Sequence, residues 1–262
     1  MNIVVCIKQV PDAKDVRLDP ETNTLSREGV KSVINPYDRH ALEEGVRLKE
    51  EYGGSLTVLS MGPPQAAAIL SEAISCGADE AYLVSDRAFA GADTLATTYT
   101  LAQAVAKVAN PDLVLCGKQA TDGDTAQVGP GLAVRLDMPF VTCVKKVHTV
   151  SDGVLTLERM MDDGYDVLEV DLPALLTVVK EINTPRFPSL RGLKRAKDYQ
   201  VASLTAADIE ADESQLGLGG SPTQVVKVFP PEKKGERTMI EGSVTEQVDK
   251  LAEIIFEAAL GS

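Results

Sequence analysis

Four short, continuous apolar runs mark the first half of the chain: Ile3–Ile7, Leu56–Met61, Ala81–Val84 and Leu113–Cys116, each bounded by turn residues. Runs of this kind suit strands covered on both faces. Helical signals lie between them. Asn35-Pro36 places asparagine at a cap and proline in the first turn, and Gly53-Gly54 closes that helix. Pro63-Pro64 opens a second, Gln65 to Ser75, ending at Gly77, and a third runs from Asp93 to about Ala109 before Asn110-Pro111. Strands alternating with helices predict an α/β fold, a doubly wound and mostly parallel sheet.

From about Val141 the pattern changes. Val144–Val150 and Val154–Met160 flank Ser151-Asp152-Gly153, a hairpin signal, and Tyr165–Leu172 and Ala174–Val179 read as further strands around Pro173. After Pro185 regular periodicity fades. The segment 186–197 carries Arg186, Arg191, Lys194, Arg195 and Lys197 with no acidic residue, which fits either a solvated loop or a docking surface for an acidic partner. Leu216 to Pro222, with glycines at 217, 219 and 220, reads as a flexible connector; it is not G-x-G-x-x-G and has no strand-to-helix context. Ser243 to Leu260 carries a capping box in Ser243 and Glu246 and an apolar stripe of Val244, Val248, Leu251, Ile255 and Ala258. Such a helix packs on its own domain or wraps a second subunit.

Composition removes several function classes. Lys and Arg total 26 against 39 Asp and Glu, a net charge of −13, which argues against a nucleic-acid binder. Absence of tryptophan and 4% aromatics leave no base-stacking platform. Apolar residues at 44% and charged residues at 25% are those of a folded chain. No apolar run approaches the roughly 18 residues of a membrane helix, so no membrane insertion is expected. Asn2 to Ile7 has neither a basic leader nor a small-residue cleavage site, so a cytoplasmic protein is expected. Cys6, Cys76, Cys116 and Cys143 are widely spaced, as buried reduced thiols would be. His40 and His148 are too few for a histidine metal site or an evident base-and-nucleophile pair.

In an open parallel sheet, ligands bind beyond the carboxyl ends of the strands. After the first strand come Lys8 to Asp12, after the second Met61-Gly62-Pro63-Pro64, after the third Asp86 and then Gly91-Ala92-Asp93-Thr94. The fourth is followed by Gly117 to Pro130, the most informative segment. Its glycines permit tight turns, Lys118 supplies charge, Asp122 and Asp124 can cap or accept from hydroxyls, and Thr125 is expected to begin a helix whose amino terminus faces an anion. This suits a nucleotide phosphate with ribose beside it; a Gly/Asp-rich turn is the plain alternative. The order of residues is not that of a Walker P-loop, and no S-G-G-x-D loop is present. The residues alone reach a nucleotide-binding α/β protein of unassigned chemistry.

Val4 to Asp12, Asn35-Pro36-Tyr37-Asp38, Met61-Gly62-Pro63, Gly117-Lys118-Gln119-Ala120 and Pro173 to Thr177 occur in the order found in electron transfer flavoprotein beta subunits, which the sequence resembles over essentially its whole length. Arg159 to Thr177, with Asp162-Asp163-Gly164, also resembles the family signature; Asp166 departs from an expected glutamate or glutamine but keeps the charge. The resemblance implies a Rossmann-like sheet of the adenine-nucleotide alpha-hydrolase type, with residues 1–185 as the nucleotide-binding domain including the β-hairpin extension. It implies a basic recognition loop at 186–197 and, over 198–262, a C-terminal arm and helix contacting an alpha subunit that holds one FAD. The beta subunit's own nucleotide would lie at Cys6, Asn35, Pro36, Tyr37, Asp38 and Met61, and along Gly117, Lys118, Gln119, Ala120, Thr121, Asp122, Gly123, Asp124, Thr125, Ala126, Gln127 and Val128.

That nucleotide is AMP in single-flavin members and a second FAD, reduced by NADH, in electron-bifurcating ones. This chain resembles the bifurcating branch in Asp122-Gly123-Asp124-Thr125-Ala126-Gln127-Val128-Gly129-Pro130, where Gly123 replaces a bulkier side chain and opens backbone beside the ligand. Ala92, Thr94 and Thr97 would add a second helix terminus and hydroxyl donors; an ordinary cap is the alternative. The implied flow sends one electron to the alpha-subunit FAD and a dehydrogenase of acyl-CoA, caffeyl-CoA or lactate type, and one to ferredoxin or flavodoxin. No catalytic acid or base is assigned, since the flavin carries the chemistry, and NADH oxidation is expected only in the complex. Leu190 occupies the place of the family's anchoring leucine, ringed by Arg186, Arg191, Lys194 and Arg195. A single-flavin carrier with AMP and an adenine-nucleotide sensor without redox role are the alternatives.

Overall fold

The computed structural model describes residues 1–12, 17–18, 25–26, 32–227 and 239–260. Two units are distinguished, Met1–Val226 and Lys227–Ser262. The first contains β1 (Asn2–Cys6), β2 (Gln9–Pro11), β3 (Arg17–Leu18), β4 (Leu25–Ser26), β5 (Ser32–Ile34), α1 (Pro36–Tyr52), β6 (Ser55–Met61), α2 (Ala67–Cys76), β7 (Glu80–Val84), α3 (Thr94–Val108), β8 (Leu113–Gly117) and α4 (Val128–Arg135). It continues through β9 (Phe140–Ser151), β10 (Val154–Met160), β11 (Tyr165–Asp171), β12 (Ala174–Val178), α5 (Leu190–Asp198) and β13 (Ala202–Leu204).

Nine strands form one sheet in the order β11-β10-β9-β12-β8-β1-β6-β7-β13. From β9 to β13 neighbouring strands run parallel, and β10 and β11 extend that sheet as antiparallel neighbours. The mixed α/β architecture read from the alternation is therefore present. Its central strands are apolar on both faces because helices cover both. Ile3, Val5, Leu113 and Leu115 pack with α1 and α2, whereas Val4, Cys6, Val114 and Cys116 face the α3 and α4 layer. That division is the period-2 alternation of a strand, hidden in the sequence because both faces are buried.

Four expectations change. The basic segment expected as a loop contains α5: Ser189 caps it by accepting from the Gly192 N–H at 3.0 Å. A side chain at Gly192 would collide with the Ser75 carbonyl, so glycine lets α5 lie against α2. The 216–222 segment is not a loose connector; Leu216 is buried, and the Leu218 N–H donates to the Ala90 carbonyl at 3.0 Å. Helix α4 starts at Val128, not Thr125, because Asp124 and Ala126 take left-handed backbone angles (φ 50° and 54°) that interrupt a helix. Finally, β13 adds an edge strand beside β7.

In the second unit, α6 (Val244–Leu260) starts at the expected capping box, with the Ser243 N–H donating to the Glu246 carboxylate at 2.7 Å. Within its unit the apolar stripe of α6 is exposed. No helix among the described residues is long and apolar enough to cross a membrane.

Candidate functional site

The chain leaves β1 for β6 and β7 on one side, then returns to build β8 on the other. Strand order thus reverses at the β1–β8 pair, and a crevice opens where the following loops diverge. A cleft of about 1090 Å³ occupies this place. Cys6 and Cys116, at the ends of β1 and β8, form its floor. Its walls are the loop after β6 with Met61, the Ser85–Asp93 turn after β7, and the loop from Gly117 into α4.

Of the residues read from the sequence, Cys6, Asp38, Met61, Ala92, Thr94, Thr97, Gly117, Lys118, Gln119, Ala120, Gly123, Thr125, Ala126, Gln127 and Val128 line this cleft. Asn35, Pro36, Tyr37, Thr121, Asp122 and Asp124 do not; several of them act from behind. Asn35 is wholly buried, its Nδ2 donating to the Gln119 carbonyl at 2.8 Å and its Oδ1 accepting from the Thr121 N–H at 3.1 Å. One side chain thereby pins the cleft loop from beneath. Asp122 accepts from the Lys8 ammonium at 2.8 Å, tying the same loop to the exit of β1.

Asp38 joins the two strand exits. Its carboxylate accepts from the Lys8 N–H at 2.7 Å and the Gly117 N–H at 3.1 Å. Burial pushes its pKa up to about 7, against the lowering effect of Asn35, those two backbone donors and the Lys8 charge. Gly117 has to be glycine here, since a side chain would collide with the Asp38 carboxylate and with Tyr37.

The two helix termini at the cleft differ. At α3 the Asp93 carboxylate accepts from the Leu95 and Ala96 N–H groups at 2.9 and 3.1 Å and holds Thr223 with its other oxygen at 2.8 Å. Although burial opposes it, hydrogen bonds from Ala96, Thr223 and Leu95 keep this carboxyl below its usual range. Thr94 donates to the Gln127 side chain at 2.8 Å, so this terminus is filled by its own protein groups and is not the open second anion site expected. The α4 terminus has no side-chain cap, and Gln127, Val128 and Gly129 at its start line the cleft. Uncapped backbone N–H groups make that corner receptive to an anion, and Lys118 and Arg87 line the cleft elsewhere along its walls.

Lys8, Arg87, Thr223 and Val225 also line the cleft but were not among the candidate residues. Lys8 was visible as a cation following a strand. Thr223 and Val225 carried no signal, because the polypeptide returns to the cleft only through the packing of Leu216 and the bonds to Asp93.

The basic segment divides. Arg186 is committed to Glu43 and Glu50, and Arg195 donates to the Asp79 carbonyl at 2.6 Å. Arg191 and Lys194 are exposed on α5. Beside them Leu190 is 88% exposed and Phe187, unremarked in the sequence, is 94% exposed. An aromatic in a stretch without periodicity was its only signal.

Comparison with known proteins agrees with this arrangement. The model of the electron transfer flavoprotein domain matches residues 22–209. The electron transfer flavoprotein subunit beta of Thermoanaerobacterium thermosaccharolyticum is 52% identical over 254 residues, 97% of either chain. The caffeyl-CoA reductase–Etf complex subunit CarD of Acetobacterium woodii is 49% identical over 249 residues, 95% of either chain. Protein FixA of Azotobacter vinelandii is 46% identical over 260 residues, 97% of this chain and 92% of the relative. Sheet, cleft and whole-chain similarity together establish that this chain belongs to the electron transfer flavoprotein family, among its beta subunits.

Proposed function

We propose that the cleft at the β1–β8 switch holds FAD, and that the chain works in a cytoplasmic heterodimer with an alpha subunit as an electron-bifurcating flavoprotein. The observation that carries this reading is the size of the cleft. At about 1090 Å³ it lies at the upper end of small-molecule sites, which run from roughly 300 to 1,000 Å³. Gly123 supports it, because nothing lies within 4 Å of the side-chain position it leaves open.

Lys118, Arg87 and the start of α4 would hold phosphate, while Met61 and Phe89 offer apolar surface to a ring system. When bound, FAD supplies uptake of two electrons from NADH and their release one at a time, one toward the alpha-subunit FAD and a dehydrogenase and one toward ferredoxin or flavodoxin. The protein's part is to bind, orient and shield. Leu190 and Phe187, flanked by Arg191 and Lys194, form an apolar plug with steering charge for the dehydrogenase. The relative in the caffeyl-CoA reductase–Etf complex makes a CoA-ester dehydrogenase the first partner to try.

One observation favours AMP instead. The α3 terminus is filled by Asp93, which leaves a single uncapped helix start, enough for one phosphate. Extraction and counting of nucleotides from the co-produced heterodimer separates the two. Two FAD and no AMP, with bleaching by NADH, are expected. One FAD with one AMP overturns the bifurcating reading and leaves a single-flavin carrier.

A further inference from the structure

Cys6 and Cys116 are register partners on the neighbouring parallel strands β1 and β8. Partners in such a ladder carry their side chains on the same face, with strands about 4.8 Å apart. That spacing falls within the roughly 4.4–6.8 Å between Cα atoms over which two cysteines can be bridged. Both belong to the α3 and α4 face, are 8% and 5% exposed, and form the floor of the cleft, so a small reagent reaches them from one opening. Cys76 and Cys143 do not line this cleft.

We propose that Cys6 and Cys116 form a paired-thiol site for a trivalent thiophile, of which a monosubstituted arsenic(III) compound is the type. The coordination chemistry selects this class. Among the described residues no group of three histidine, cysteine or carboxylate ligands is placed to hold a metal ion. A monosubstituted arsenic(III) brings its own third ligand and needs two sulfurs. In the reaction each S–H is replaced by an As–S bond, and the arsenic oxygen leaves as water with the two thiol protons. No electron is transferred; arsenic stays trivalent and sulfur stays at the thiol level.

Protonation makes the site selective. The Cys116 thiol is pushed well up by its contact with the Cys6 thiol, by burial and by the Asp38 carboxylate. Alkylating reagents need thiolate and meet little of it at Cys116. An arsenoxide takes up thiols with loss of water and gains from the fixed pairing of these two.

The test uses the full chain in complex with its alpha subunit, treated with phenylarsine oxide, after which the beta chain is weighed intact without reduction. One phenylarsenic unit per beta chain is expected, displaced by a dithiol and not by a monothiol, and formed severalfold more slowly with excess AMP or FAD. The adduct is expected to persist when Cys76 and Cys143 are both serine and to vanish in Cys6→Ser and in Cys116→Ser. Should either variant fail to fold, peptide mapping of the wild-type adduct decides, with arsenic bridging the Cys6 and Cys116 peptides. Absence of the adduct, or its persistence in a folded single-serine variant, overturns the proposal. The outcome is independent of which nucleotide the cleft holds.

Discussion

Arg186 donates from Nε and Nη2 to the two carboxylate oxygens of Glu43, at 2.9 and 3.1 Å, while Nη1 and Nη2 reach Glu50 at 2.6 and 2.9 Å. Glu43 is buried on α1, and the fork gives both of its carboxylate oxygens hydrogen-bond partners. Both carboxylates raise the Arg186 pKa, Glu50 foremost. Arg186 is therefore part of the framework beneath α5. Replacing it with alanine is expected to cost about 2–3 kcal/mol in denaturant unfolding, the lower end for one member of a buried pair because Arg186 is a third exposed.

Leu190 should behave in the opposite way. It is almost fully exposed, so Leu190→Ala is expected to leave stability within about 0.5 kcal/mol. Under the proposed function, flavin content and NADH reduction should also be unchanged, whereas transfer to the dehydrogenase slows. Phe187→Ala should follow the same pattern. Stopped-flow transfer rates check both, and unchanged rates would remove α5 from the docking surface.

Asp38 predicts a pH dependence. Folded, its carboxyl keeps a proton up to about pH 7; unfolded, it releases that proton near its ordinary value of 3.8. Between those values the native state binds more protons, so the contribution of Asp38 to stability falls as pH rises and its full cost is present above 7. Across pH 4 to 8 the unfolding free energy of wild type relative to Asp38→Asn should fall by up to about 4 kcal/mol. Denaturant titrations at several pH values measure that difference, and a flat difference would contradict the buried charge.

Asn35 controls the cleft loop without lining the cleft. Asn35→Ala leaves the Gln119 carbonyl and the Thr121 N–H without this partner, each hydrogen bond worth about 0.5–1.5 kcal/mol net. Amide exchange should quicken across residues 119–124 and nucleotide retention should fall, while the β1 and β8 amides stay protected. Equal exchange in variant and wild type would show that the loop is held by other contacts.

A double change of Thr94 and Thr97 to alanine removes the hydroxyl that bridges α3 to Gln127 at the α4 start. Loss of nucleotide on dialysis is expected, through misplacement of Gln127 as much as through lost donors. Full retention would make both threonines ordinary helix residues.

Much of the fold was legible because its strands are short apolar runs with proline, asparagine and glycine at their ends. Helix α5 was not, since its four basic residues mask any apolar stripe and Gly192 reads as a breaker; the close approach to Ser75 that explains the glycine exists only after folding. Asp38 lines the cleft and Asn35 stands behind it, a difference hidden in the sequence because a polar side chain beside a ligand and one that buttresses a loop from behind are the same residue type at the start of a helix.

By itself, the sequence determined the layered α/β architecture and the place of the cleft beyond the strand ends, because apolar periodicity and strand-exit residues are local; the family was legible only through the resemblance of its motifs. Tertiary structure alone decided that Arg186 serves Glu43, that Asp93 holds Thr223 and that Cys6 stands beside Cys116. Those facts depend on residues more than a hundred positions apart, or on which face of an element meets its neighbour, and only the closing of the sheet brings them together.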